Sequence, residues 1–206
     1  MVNESLKKII LPFYRLWYDA KWRFYVRNTD RIRIVVGSAQ IGLKGWFETD
    51  VLVLDLTNER QFRRFFSRHP IGYAMAEHVI EHLTTEQIAA MLGNFHRYST
   101  PDFCLRIAVP DGYHADPDYV ENVKPGGKGA GADDHKHLFN HASLSELFAR
   151  FGFRADAKEY WDAQRQFHSA YQNDERGRIR RSFINDSRNA DGQSHYTSLI
   201  VDFTKK

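Results

Sequence analysis

The segment Ala76-Glu77-His78-Val79-Ile80-Glu81-His82-Leu83 gathers two imidazoles and two carboxylates in one short stretch. By spacing alone, His78-Val79-Ile80-Glu81-His82 matches H-x-x-E-H. In that pattern two His side chains one helical turn apart hold a zinc ion, and the Glu serves as general base. The chemistry wants the motif inside a long helix, with a further ligand from elsewhere. Thr84 and Thr85 follow at once, and a buried apolar run precedes. A zinc hydrolase built on His78, Glu81 and His82 is therefore only an alternative. The preferred reading has these residues hydrogen-bonded at a strand–helix junction, and no metal site is assigned.

A second set follows an earlier β-branched run. Gly37-Ser38-Ala39-Gln40-Ile41-Gly42 has the spacing G-x-A-x-x-G, a dinucleotide-binding turn with its middle glycine replaced by alanine. Glycines there permit a tight turn and close approach of backbone N–H groups to a ligand, whereas an Ala methyl crowds a pyrophosphate. The match is equally that of a plain turn. Asp50 closes the next segment, where a carboxylate can accept hydrogen bonds from both hydroxyls of a ribose. The gap is shorter than the roughly 20 residues of the dinucleotide pattern. It leaves little room for a full helix and argues against an ordinary NAD domain.

Asp133-Asp134-His135-Lys136-His137 offers carboxylates and imidazoles to a sugar hydroxyl or a metal, or is simply a polar loop. The preceding Lys124–Gly131 stretch is Gly-rich, but no Ser or Thr follows a Gly-Lys at the P-loop spacing. It reads as a mobile lid, or as an inert flexible loop. Arg176–Arg181 reads as a solvated charge run able to meet an anionic glycan or phosphate.

The elements that must position these groups alternate. Arg31–Val36 reads as a buried strand, Phe47–Leu56 as one or two extended segments, and Thr57–His69 as a helix stopped by Pro70. Ile71–Ala76 is another short apolar run. Thr84 and Gln87 form a capping box ahead of a helix. Cys104–Val109 reads as a strand, Ser143 as the cap of a helix Leu144–Phe151 ended by Gly152, and Phe153–Trp161 and Tyr196–Phe203 as late strands. Strands separated by helices predict a doubly wound, mostly parallel α/β sheet, whose ligands sit outside the carboxyl ends of the strands.

The chain has 206 residues, 42% hydrophobic and 27% charged, which suits one globular domain and excludes wholesale disorder. Its single cysteine, Cys104, excludes a disulfide framework or a Cys-based zinc ribbon. No apolar run approaches the roughly 20 residues of a bilayer span, and the N-terminus does not read as a secretory signal. A cytoplasmic protein is expected.

Charge is uneven. Residues 1–33 carry eight Lys and Arg against Glu4, Asp19 and Asp30, a net +5 in a chain of net +3. Residues 1–30 read as a basic, aromatic helical arm bent near Pro12, with Leu6, Ile9, Ile10, Phe13, Leu16 and Trp17 at helical spacing, ahead of a domain over 31–206. The arm can pack on the domain or on a second copy of the chain, or lie on an anionic membrane surface. Nucleic acid is the least favoured partner.

Gly37-Ser38-Ala39-Gln40, Lys44-Gly45-Trp46 with Asp50, Ala76–Leu83 and Leu105–Asp111 together resemble class I S-adenosylmethionine-dependent methyltransferases. They are most similar to a small bacterial subgroup associated with surface-polysaccharide pathways. Lys124–Asp134, Asp133–Lys136 and Tyr196–Asp202 extend the likeness over residues 31–204. The resemblance implies a Rossmann-like methyltransferase fold, a seven-stranded sheet with its last strand antiparallel, S-adenosylmethionine as cofactor, and a small-molecule or glycan acceptor. Gly37, Ser38 and Ala39 would line the methionine moiety, Asp50 would hold the ribose and Asp55 would lie near the adenine. Glu77 and His78 would sit by the methionine end. The family's usual second glycine is Ala39 in this chain.

Methyl transfer needs in-line positioning and one base. Imidazole ordinarily titrates near neutrality, so His78 is the first candidate base and His135 the second. Asp111, Asp134 and His137 are the candidate acceptor-binding residues. The competing class is a non-catalytic binding module that keeps the fold.

Overall fold

The computed structural model describes residues 4–37 and 42–206, with side chains from Leu11 onward. Helix α1 (Glu4–Arg27) leads into strand β1 (Ile32–Val36), followed by β2 (Phe47–Glu48), α2 (Glu59–Phe66), β3 (Ile71–Glu77), α3 (Thr85–Tyr98) and β4 (Ser99–Val109). The second half holds α4 (Pro117–Val123), α5 (His141–Ala149), β5 (Phe153–Trp161), β6 (Phe167–Ser169) and β7 (Leu199–Lys205). Short 3₁₀ turns cover Ile80–His82, Ala132–Asp134 and Ser187–Asn189.

The seven strands form one sheet in the order β2-β1-β3-β4-β7-β5-β6. The pairs β1–β2, β1–β3 and β3–β4 are parallel, and β4–β7, β5–β7 and β5–β6 are antiparallel. The sheet is therefore mixed rather than mostly parallel, because the β5–β6 hairpin and the return of β7 supply one whole side of it.

Nor is it doubly wound. Alternation along the strands puts Ile32, Ile34, Val36, Ala74, Ala76, Leu105, Ile107, Val201 and Phe203 on one face. There they pack against Trp22 of α1, Phe62 and Phe66 of α2, Met91 and Phe95 of α3, and Phe148 of α5. Val35, Met75, Ala108 and Ile200 point the other way, under Tyr171, Ile179, Leu43 and Trp46 of irregular segments. Connections β2→α2→β3 and β3→α3→β4 step across the sheet in the same direction, and right-handed crossovers then place both helices on the same face. Among the connections of the parallel strands β1–β4 only β1→β2 steps the opposite way, and residues 37–46 are too few to build a covering helix.

Local signals explain the elements. The Thr84–Gln87 capping box forms with both reciprocal hydrogen bonds. Helix α5 starts earlier than its Ser143 suggests: Asn140 is the cap, and Ser143 is its partner at the third helical position. The apolar run Val51–Leu56 folds as turns rather than strand, its Val53, Leu54 and Leu56 entering the core. Helix α1 runs through Pro12 as a single assigned helix. Its buried stripe is Tyr18 and Trp22, flanked by Tyr14, Tyr25 and Val26 and edge-packed on Phe47, Phe65 and Phe66. Phe13, Leu16, Trp17 and Phe24 stay exposed, at 70%, 67%, 53% and 71%. The arm carries more aromatic surface than one packed face can hide.

Candidate active site

Because β2 and β3 lie on opposite sides of β1, the strand order reverses between β1 and β3. A crevice at the carboxyl ends of such neighbours is where open α/β sheets take ligands. Gly37 leaves β1 with φ of +64°, and a Cβ there would stand 2.5 Å from Val79 Cγ2, so only glycine fits both the backbone and the neighbour. Ser38 and Ala39 lie outside the described residues. Thr49 ties the exit of β2 to Val35 O through its N–H and hydroxyl, at 2.8 and 3.1 Å.

Asp50 follows, half-buried. Its Oδ1 accepts from Leu52 N at 2.8 Å and its Oδ2 from the Tyr14 hydroxyl of α1 at 2.6 Å. Burial and this carboxylate push the Tyr14 hydroxyl well above the ordinary phenol range. A carboxylate has about four acceptor positions, so the two bonds leave capacity for a further donor. Asp55 caps the following turn instead, accepting from Thr57 N and Oγ1 at 2.9 and 2.7 Å.

At the end of β3, the Glu77 carboxylate accepts from the backbone N–H groups of Arg180 and Arg181 at 3.0 and 3.3 Å. His78 comes next with φ of +54°, a left-handed backbone that a non-glycine residue adopts only under constraint. The constraint is visible: His78 N donates to Ala108 O at 2.8 Å, Nε2 lies 3.0 Å from Ser198 Oγ, and Nδ1 lies 3.3 Å from Glu81 Oε1.

The H-x-x-E-H stretch then folds as the Ile80–His82 3₁₀ turn and not as an α-helix. With about three residues per turn, His78 and His82 no longer stack on one face. His135 joins Glu81 and His82 from a distant loop, while His78 keeps its contact with Glu81 on the other side. Lys136 N and His137 N both donate to Glu81 O, at 2.7 and 3.3 Å, which straps the Asp133–His137 loop onto the turn. The His82 and His135 rings meet edge to face with centroids 4.7 Å apart.

These residues floor a cavity of about 730 Å³ lined also by Tyr119, Asn122, Gly129, Arg181, Arg188 and Tyr196. The Gly-rich stretch therefore reaches the cavity wall, held to α4 by Gly129 N donating to Asn122 O at 2.9 Å. Of the candidate acceptor-binding residues, Asp134 is exposed beside the cavity, 3.4 Å from His82 Nδ1 and paired with Lys136 at 3.0 Å. Asp111 is fully buried and accepts from Trp161 N and Tyr113 N at 2.8 and 2.9 Å, clasping two strand ends. Burial pushes its carboxyl up to about 6. His137 stacks on Phe139, away from the cavity floor.

The structure thus brings together Glu77, His78, Glu81, His82 and His135 across one crevice mouth, with Gly37 and Asp50 on the neighbouring strand ends. Sequence spacing misses Tyr14, Ser198, Arg188 and Tyr196 as site residues, all of which arrive from distant segments, whereas Arg181 belongs to the Arg176–Arg181 run noted above. A second cavity of about 610 Å³ opens between α1 and residues 42–48, and none of the predicted site residues lines it.

No protein-family model and no curated protein sequence matches the chain. Solved structures similar to it include LepI in complex with SAH and a substrate analogue, at 10% identity and a TM-score of 0.44. That alignment covers 91% of this chain but 39% of LepI, so the chain spans well under half of that protein's length. A SAM-dependent methyltransferase from Archaeoglobus fulgidus aligns at 15% identity over 93% of this chain and 94% of its own, with a TM-score of 0.45. Magnesium protoporphyrin IX methyltransferase from Synechocystis PCC 6803 aligns at 10% identity over 100% and 89%, with a TM-score of 0.41. None of these likenesses is strong enough to decide the chemistry, which rests on the residues of the chain.

Proposed function

We propose that the chain binds S-adenosylmethionine at the β1–β3 switch point and transfers its methyl group to a small-molecule or glycan oxygen in the adjoining cavity. The observation that carries this reading is the neighbouring placement of the Gly37 turn and the Asp50 carboxylate on β1 and β2, beside a cavity that starts at His78 on β3. Gly37 and Asp50 would hold the nucleoside-bearing end, and Glu77 fixes the loop that closes the opposite wall. The bound cofactor supplies an electrophilic methyl on a sulfonium. The chain's own part is to orient the acceptor and receive its proton, for which His78 is the imidazole nearest the strand ends. Arg181 in the cavity wall can meet negative charge on an acceptor, whereas Arg188 there is already paired with Asp186 at 2.6 Å.

One observation favours a second reading. The Tyr14–Asp50 hydrogen bond ties the arm to the residue that would hold the ribose, as expected if the fold serves as a non-catalytic binding module. Titration calorimetry with S-adenosylmethionine separates the two. Sub-millimolar binding that Asp50→Ala abolishes and Tyr14→Phe retains supports the enzyme; absence of binding by the unaltered chain supports the module.

The exposed stripe of α1 supports a peripheral position on an anionic lipid surface. At about 100° per residue, Phe13, Leu16, Trp17, Ala20 and Phe24 share one face, opposite the buried Tyr18–Trp22 stripe, with Lys21 on one border, Arg23 on the other and Arg27 at its C-terminal end. Apolar side chains flanked by cations suit the headgroup boundary. Among the described residues no helix is long and apolar enough to cross a membrane. Co-sedimentation with phosphatidylglycerol-containing vesicles but not with pure phosphatidylcholine, lost in Trp17→Glu, supports this. Failure to sediment, or a concentration-dependent dimer in its place, refutes it.

A further inference from the structure

We propose that Glu81, His82 and His135 form a binding site for a divalent transition-metal ion in the floor of the 730 Å³ cavity. The site departs from the sequence expectation, which assigned no metal and made His135 a candidate base. It rests on the geometry of the cavity floor alone and stands whether or not the cofactor reading above is correct.

Three observations carry it. First, one ligand atom from each of the three residues lies within 4.8 Å of the other two. In a tetrahedral site with bonds of about 2.1 Å the ligand atoms stand about 3.4 Å apart, so the group needs to contract by at most about 1.4 Å. Second, Glu81 has no exposed surface, and among the described residues neither of its oxygens has a hydrogen-bond partner. His78 Nδ1 is 3.3 Å away but lacks the geometry of a hydrogen bond. A buried carboxylate left unpaired is strongly unfavourable, and a cation at the site would resolve it.

Third, the outer contacts of both imidazoles are those of metal ligands. His135 Nδ1 lies 2.7 Å from Val123 O, which can only accept, so Nδ1 carries the proton and Nε2 keeps its lone pair free. His82 Nδ1 faces the exposed Asp134 carboxylate across 3.4 Å, a charge contact behind the ring rather than a hydrogen bond. Such backing by a carbonyl or carboxylate sets the tautomer and aim of ligating imidazoles. The strap from Lys136 N and His137 N to Glu81 O holds the loop ligand against the turn ligands before any ion arrives.

Two imidazoles and one carboxylate, with no thiolate, suit Zn²⁺, Fe²⁺, Co²⁺ or Mn²⁺ better than Ca²⁺ or Mg²⁺. Three protein ligands leave coordination positions open toward the cavity. An oxygen-donor molecule such as a vicinal diol or hydroxy acid would enter there, with Arg181 in the wall to meet any negative charge.

The test uses the full chain after chelator treatment, titrated with Co²⁺ and followed by its visible d–d absorption, with Zn²⁺ competition and thermal unfolding in parallel. One saturating equivalent of Co²⁺, displaced by Zn²⁺ and accompanied by a rise in Tm, is expected. His82→Ala and His135→Ala should each weaken binding tenfold or more while keeping the far-ultraviolet circular dichroism of the unaltered chain. Glu81→Gln should do likewise, and because Glu81 is buried the half-exposed His82 provides the variant least able to disturb folding. No saturable spectrum from the unaltered chain, or affinity in His82→Ala and His135→Ala equal to that of the unaltered chain, overturns the proposal. S-adenosylmethionine titration of the metal-free chain reports the cofactor reading separately.

Discussion

The two faces of the sheet are covered by different physics. The helical face is a continuous apolar core in which Phe62, Phe95, Phe103, Phe148 and Phe203 have no exposed surface. The opposite face joins a small apolar cluster to a set of buried polar and charged side chains. Arg106 of β4 pairs with Asp202 directly across on β7 through two bonds of 2.7 and 2.9 Å, and reaches Asp174 and Gly177 O at 2.8 Å each. Glu159 of β5 accepts from Phe183 N at 3.0 and 3.1 Å, and Glu77 of β3 accepts from Arg180 and Arg181. The irregular cover buries only a small apolar cluster, through Tyr171 and Ile179, and the 171–198 segment is otherwise pinned at discrete polar points. The candidate site lies where that pinned segment meets the strand ends.

The contrast is broken most strongly by cutting one anchor on each face. Arg106→Ala leaves Asp202 buried without its main partner, and Phe95→Ala leaves a cavity under α3; each should cost about 3–5 kcal/mol in denaturant unfolding. Limited proteolysis tells them apart: cleavage within 171–182 should accelerate in Arg106→Ala well before global unfolding, and not in Phe95→Ala.

A smaller effect follows from pH. Burial pushes the Glu159 carboxyl up to about 8, so the folded state keeps a proton that the unfolded chain has released. That contribution is full below the ordinary carboxyl range and is lost as pH rises to about 8. Asp111 acts in the same sense only up to about 6. His114, pushed down to about 4 by burial, acts oppositely between there and about 6.5. Between about pH 6.5 and 8 Glu159 is the one of the three still titrating. Stability should fall there by up to about 2 kcal/mol, and Glu159→Gln should flatten the profile in urea titrations at successive pH values. The smallest change concerns the helical face alone: Thr84→Ala removes the α3 cap and should cost about 1 kcal/mol in thermal unfolding, leaving the pH profile unchanged.

The same contrast explains what could be read from the amino-acid string. The β-branched and apolar runs that become β1, β3, β4 and β5, and the capping box of α3, are local patterns and lie where spacing places them. The single-faced winding was foreshadowed by the short gap between Gly37 and Asp50, although alternation of strands and helices alone suggests two covered faces. Arg176–Arg181 looks like a solvated run, yet its backbone and Arg176 are engaged with Glu77 and Asp202, partners 103 and 26 residues away. His135, and not His78, groups with Glu81 and His82 because a 3₁₀ turn and a distant loop set the geometry, and no periodicity encodes that. Tyr14 reaches Asp50 across 36 residues for the same reason.

The terminal strands of the sheet have a further consequence. On one side β2 is two residues long, with Phe47 under the aromatic rings of α1; on the other β6 is three. Unpaired backbone groups on a long outer strand are a template for adding strands from other molecules, and lengths of two or three residues offer almost no such register. The chain thus carries its long central ladders, β4 and β7 above all, shielded from intermolecular zippering at both margins.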